Sequence, residues 1–205
     1  RDCGIECQVI ENGSSRIKPA ARQVASDGRV HLCHVGGLEH HKGAYLIEAA
    51  LRRYPYKNLH FTVVDLARGP GQETQTVWGT TPVTITGKMS TQEIAQFYAR
   101  MNVLIAPSTW PESYGLVTRE ALAHGLWVIA SDQGATADPV HAGENGFVVS
   151  VEGGQELALA LEAIDAAPAT YRSPPSASLT LRMVDEQSAE LVRFYQRLLL
   201  SESRA

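Results

Sequence analysis

Short β-branched runs alternate with helical patterns along most of this 205-residue chain, and that alternation restricts its fold more than any other feature. Residues 30–35, 59–64, 83–85, 102–105, 127–130 and 147–149 read as strands. Between the first two, Ile47, Ala50, Leu51 and Tyr54 recur at the spacing of one helix face, which predicts a helix over 42–53. Ser90 and Glu93 form a capping box opening a second helix, with Ile94, Phe97, Tyr98 and Met101 as its apolar stripe. A third helix is expected from Gly115 to Gly125, a short fourth over 138–141, and a tight turn at Asn145–Gly146. A further helix over 155–165, a Pro-, Ala- and Ser-rich loop over 166–180 and a last helix over 184–200 complete the reading. The economical architecture is a single-domain α/β fold, a Rossmann-like, doubly wound parallel sheet with helices on both faces. Ligands in such sheets bind outside the carboxyl ends of the strands.

Bulk properties narrow the partners. A net charge of -4 without a Lys/Arg run gives no electrostatic reason to expect nucleic acid or an anionic membrane surface. Cys3, Cys7 and Cys33 are odd in number, and no Cys/His spacing suggests a metal cage, so reduced thiols and no metal site are expected. No apolar run is long enough to span a bilayer, and the polar start has no signal-peptide layers. The start also lacks Met, so the chain reads as a piece of a longer one.

Two segments could carry chemistry. In 35–43, a strand runs through Gly36 and Gly37 into a helix, with Lys42 close behind. Glycine-bared amides, a helix N-terminus and a lysine make an anion site suited to a diphosphate. The spacing fits neither GxGxxG nor GxxxxGK[ST], which disfavours a dinucleotide dehydrogenase and a P-loop ATPase, and a plain tight turn fits the glycines as well.

The second segment, 106–125, holds Glu112 in a strand-to-helix loop and Glu120 inside the helix, with seven residues between them. At Gly115 a phosphate could reach the amides of Leu116 and Val117. Glu120 would then lie roughly 6–8 Å further along the helix, near the offset of a ribose from its phosphates. Glu112 would face a sugar on the distal phosphate, holding a hydroxyl and stabilising positive charge. A helix-dipole glutamate and a surface glutamate are the plainer alternative. His31, His34, His60 and His124 fall in regular elements, where structural roles are expected. His40 and His41 form the one pair in a site-like turn. Trp78 and Trp110 are expected in the core, although Trp110, beside Glu112, could shape a sugar pocket.

The Glu-x7-Glu segment, Lys42-Gly43 after a Gly-Gly turn, and the run from Gly143 to Phe147 occur in one order. In this the chain resembles the C-terminal, donor-nucleotide domain of the family-four-type retaining glycosyltransferases of GT-B fold. The resemblance implies Lys42 on the donor diphosphate, Glu120 on the ribose, and Glu112 with the amides of Tyr114, Gly115 and Leu116 around sugar and phosphates. Lys88 and Met89 match the place where the family's backbone meets the base. One departure is Gly37, where the family usually carries Arg; His40 or His41 is placed to substitute.

By the same resemblance, residues 1–20 are an interdomain linker, 21–167 the nucleotide-sugar-binding domain, 168–183 a loop, and 184–205 a helix crossing towards an N-terminal acceptor domain outside this sequence. The implied activity is transfer of a sugar from a nucleoside diphosphate sugar to a glycan or lipid-linked acceptor, without metal or other cofactor. The implied setting is polysaccharide biosynthesis in the cytoplasm, peripheral to the inner face of the membrane through the acceptor half. A non-catalytic nucleotide-sugar-binding module and a sugar-nucleotide epimerase of the same architecture are the alternatives.

Overall fold

The computed structural model of the protein describes residues 7–14, 19–23 and 25–202. Cys3 and parts of the expected linker lie outside them. By internal packing the chain divides into two compact units, one of residues 17–180 and one made of 1–16 with 181–205.

The larger unit is built on one seven-stranded sheet: β1 (Val30–Val35), β2 (Leu59–Asp65), β3 (Glu73–Trp78), β4 (Thr81–Gly87), β5 (Val103–Ala106), β6 (Trp127–Ser131) and β7 (Gly146–Val149), in the order β3-β4-β2-β1-β5-β6-β7. All neighbours run parallel except β3, which pairs antiparallel to β4. The helices are α1 (Ala44–Arg53), α2 (Thr91–Arg100), α3 (Leu116–Ala123), α4 (Gln155–Ala166) and the short α5 (Pro168–Arg172).

Neighbouring strand residues point to opposite faces, so β1, β2, β5 and β6 each feed two cores. Leu32, Phe61, Ile105 and Ile129 join Ile47 and Leu51 of α1 and Leu157, Leu161 and Ile164 of α4. Cys33, Leu104, Val128 and Ala130 join Phe97 and Tyr98 of α2 and Ala121 and Leu122 of α3. Ser90 caps α2 as its sequence requires, with both halves of the box made.

Three expectations change. First, the sheet is not wholly parallel. Between β2 and the strand at 83–85, a stretch to which the sequence reading gives no element, the chain forms a hairpin, turning at Gly79 (φ 63) and Thr80 into β4. Five of the six β3 residues are exposed, so no apolar alternation marks it as a strand. Second, 138–141 is a turn, because the Asn145 side chain accepts from the His141 amide and donates to the Pro139 carbonyl, which makes bonds a helical turn would otherwise need. Third, the loop after α4 contains α5, which Pro168 opens at its first turn, where the missing N–H costs nothing.

The smaller unit contains α6 (Val184–Glu202). The strand-like segment at Ser14 bridges Met183, and the Gly13 amide donates to Gln187 at 2.8 Å.

Candidate functional site

Strand order fixes where a ligand can enter. From β1 the chain moves outward through β2 to β4 and β3, then returns to β5 on the other side of β1. The loops after β1 and β5 therefore diverge around a crevice at this switch point.

Those loops are locked together. The Thr109 amide donates to the His41 carbonyl at 2.9 Å, joined there by the Ser108 and Thr109 hydroxyls at 3.2 and 3.3 Å. Gly43, at φ 74, lies so close to Pro107 that a Cβ would stand 2.0 Å from its carbonyl oxygen. The loop after β6 completes the clamp, with Glu112 bridging Gly134 and the Ala135 amide donating to the Glu112 carbonyl at 2.8 Å. Gly115 begins α3 in the left-handed conformation (φ 64, ψ 56) with no side-chain cap, and a Cβ there would meet the Thr136 backbone at 2.8 Å.

Lys42, Glu112, Gly115 and Val117 line one cleft of about 30 Å³, with His34, Ser108, Thr118 and Thr136. The Lys42 ammonium donates to Glu112 Oε1 at 2.9 Å, each side chain about one-third exposed at 33% and 29%. The lysine read as a diphosphate ligand and the glutamate read as a sugar ligand are thus joined to each other.

Met89 lines a separate cavity of about 460 Å³ with His31 and His60, and none of the remaining expected residues lines this cleft. Gly36 abuts it, since a Cβ there would meet His34 Nε2 at 3.2 Å. Gly37 (φ 74) faces Asp65, whose Oδ1 would lie 3.2 Å from an added Cβ. Asp65 in turn holds Arg68 at 3.3 Å, so a cation stands beside the turn where the family's arginine is absent. Leu116 is partly exposed on the first turn of α3, and Tyr114 is buried under the Arg119 guanidinium, 4.0 Å from its ring centroid. Arg119 also donates to the Tyr114 carbonyl. Glu120 is buried within α3, its carbonyl accepting from His124 Nδ1 at 2.7 Å. Lys88 is exposed, its amide donating to the Arg68 carbonyl at 3.2 Å, and Met89 packs into the α2–α3 core.

Two residues the sequence reading assigned elsewhere or overlooked belong to the cleft wall. His34 keeps the structural role expected of it through Nδ1, which bonds the Ile105 carbonyl at 2.8 Å. Its Nε2 is buried without a hydrogen-bond partner among the described residues, and so is the Thr136 hydroxyl. Burial pushes the His34 imidazole below its ordinary pKa, against the opposing pull of the Ile105 carbonyl and the Gly37 backbone, and with Nδ1–H donating to Ile105 the neutral ring leaves Nε2 as an acceptor. The sequence signal for Thr136 was the Gly134 turn directly after a strand.

His40 and His41 do not line the cleft. His40 stacks on Tyr45 at 4.2 Å, and His41 lies against Trp110 and 3.4 Å from Glu39. Trp110 is not a core residue, being 69% exposed, whereas Trp78 is buried against Phe61.

The family described as glycosyl transferases group 1 matches residues 29–165. A lipopolysaccharide core biosynthesis mannosyltransferase of Rhizobium leguminosarum is 39% identical over 77 residues, 38% of this chain and 22% of that protein. Sucrose-phosphate synthase from Thermosynechococcus elongatus shares the fold with a TM-score of 0.70 at 23% identity, over 95% of this chain and 53% of that one. The Anabaena protein HepE, solved with UDP and glucose, shares it with a TM-score of 0.59 at 21% identity, over 87% of this chain and 49% of that one. The chain thus spans about half the length of those two structures, and its match about a fifth of the mannosyltransferase.

Proposed function

The chain belongs to the glycosyl transferases group 1 family, and from that membership we propose that it is the donor-binding half of a retaining enzyme that moves a sugar from a nucleoside diphosphate to a glycan or lipid-linked acceptor. One observation carries the reading. At the switch point of the sheet, Lys42 and the uncapped first turn of α3 flank a cleft into which two buried polar atoms, His34 Nε2 and Thr136 Oγ1, bring unused hydrogen-bonding capacity. Buried polar groups are rarely left so without a ligand or water to meet them.

In this account the diphosphate takes the α3 amides and Lys42, where the helix dipole and the ammonium offset its charge. Its arrival displaces Glu112 from Lys42 and leaves that carboxylate able to hold a sugar hydroxyl. As the glycosidic bond loosens, the same carboxylate lies close to the developing positive charge. Glu120 accepts from the ribose hydroxyls. Arg68, beside Gly37 through Asp65, takes over the charge that an arginine at position 37 would supply. No step requires a metal, because Lys42, Arg68 and the helix N-terminus stabilise the leaving diphosphate.

The likeness to HepE, solved with UDP and glucose, supports a nucleoside diphosphate donor. The mannosyltransferase relative, named for lipopolysaccharide core biosynthesis, supports a glycan or lipid-linked acceptor. Among the described residues no helix is long and apolar enough to cross a membrane. In this account the acceptor-binding domain lies outside this sequence, so this half alone binds donor and turns over poorly.

Calorimetry with UDP, GDP and ADP is the test. At least one nucleotide binds, and Glu120→Ala abolishes the signal. Silence for all three overturns the proposal.

A further inference from the structure

We propose that Asp27, His31 and His60 form a binding site for a divalent cation of the zinc class on the face of the sheet opposite α1 and α4, distinct from the donor cleft. The sheet itself builds the pair of imidazoles. His31 and His60 are register partners on parallel β1 and β2, so their side chains leave the same face, with ring centroids 5.0 Å apart. Asp27, in the turn before β1, places Oδ1 and Oδ2 at 3.1 and 3.2 Å from His31 Nε2. One ligand atom from each of the three lies within 4.8 Å of the others. Around tetrahedral zinc, with bonds of about 2.0–2.1 Å, ligand atoms stand roughly 3.3 Å apart. The Asp27–His31 pair already has that spacing, and closing the third needs only side-chain movement, which exposed Asp27 permits.

The donor set suits the metal. Two imidazoles and one carboxylate, with a position left for water, match zinc and its neighbours better than calcium or magnesium, which take oxygen ligands. A cavity of about 460 Å³, lined by both histidines, gives that water room.

Ligating histidines generally need a second layer of bonds to hold the ring, and His60 has one. Gln75 donates to Glu73 at 2.7 Å and receives the Thr84 hydroxyl proton at 3.0 Å, so Thr84 Oγ1 is left to accept from His60 Nε2 at 3.1 Å. Bound metal would staple the segment before β1 to two strands.

The experiment is calorimetric titration of the metal-free chain with Zn²⁺, repeated with Co²⁺ followed by visible absorption, with thermal unfolding measured alongside. The expected result is one saturable site, the absorption of tetrahedral Co²⁺, and a Zn²⁺-dependent rise in unfolding temperature. Asp27→Asn and His60→Gln should each weaken binding about tenfold or more and remove the thermal shift, while a His40→Asn/His41→Asn double variant should leave both intact. Should His60→Gln not fold, exposed Asp27→Asn decides alone. Absence of saturable binding overturns the proposal, as does binding that survives Asp27→Asn and disappears in the His40/His41 variant.

Discussion

The two sides of this sheet solve the same problem differently. Around β1, β5 and β6 the crossovers are helical except for the turns between β6 and β7, both faces are covered by apolar side chains, and the loops at the carboxyl ends brace one another through His41, Pro107, Glu112 and Gly134. On β2 and β4 one face carries Phe61, Val63, Val83 and Ile85, while the other carries His60, Thr62, Thr84 and Thr86 beside an open cavity. A parallel strand normally needs apolar residues on both faces. Here β2 and β4 are connected through β3 rather than through a helix, and their polar face opens onto that cavity. Rigidity is concentrated in the first region, and hydrogen-bonding capacity is spread across the second.

Paired glycine substitutions break this contrast most directly. Gly43 and Gly71 have nearly the same backbone, φ 74 and 73, but a Cβ at Gly43 meets the Pro107 backbone while one at Gly71 meets nothing within 4 Å. Gly43→Ala should cost about 3 kcal/mol or more in urea unfolding, from strain plus collision. Gly71→Ala, which carries only the strain, should cost about 1 kcal/mol. Equal losses would mean that the loops after β1 and β5 are not locked.

On the polar side, Thr84→Val removes the group linking Gln75 to His60 and should cost about 1 kcal/mol in the same measurement. A gain in stability would show that this face tolerates apolar residues.

Acid should loosen both regions. Burial lowers the pKa values of His34, His60 and His124, with the neighbouring His31 adding to the effect at His60. The unfolded chain then binds protons that the native state refuses. Stability is therefore full above the ordinary histidine value and falls as pH drops through about 6.5 towards the lowered values. The urea midpoint should decrease between about pH 7.5 and 5.5, and His34→Gln should flatten part of that slope.

The smallest effect belongs to Lys42 and Glu112. Because both are about one-third exposed, solvent screens the pair, and a double-mutant cycle on stability should give a coupling of about 0.5 kcal/mol. A coupling several times larger would argue for a structural pair that no substrate is meant to separate.

The sequence made the alternation of strands and helices legible because β5 and β6 are nearly continuous apolar runs, β1 and β2 are short apolar runs interrupted by histidines, and α2 carries its own cap. It did not reveal β3, whose residues from Glu73 to Val77 face solvent, nor α5, too short to show a period. The cleft was partly legible. Lys42, Glu112, Gly115 and Val117 stand in two segments, each a strand-to-helix turn, and such turns meet wherever the strand order reverses. His34 looked like an ordinary strand histidine, because only the fold shows that its second nitrogen faces the cleft. Asp27, His31 and His60 follow no metal spacing along the chain, and only the register between β1 and β2 brings them together.

The central claim is that a nucleoside diphosphate binds at the locked loops and not on the polar face. Hydrogen exchange on the chain, with and without the diphosphate that calorimetry selects, tests this most directly. The account predicts slowed exchange at the amides from Gly36 to Lys42 and at Leu116 and Val117, with β2 and β4 unchanged. Protection confined to β2 and β4, or spread evenly over the sheet, would contradict it.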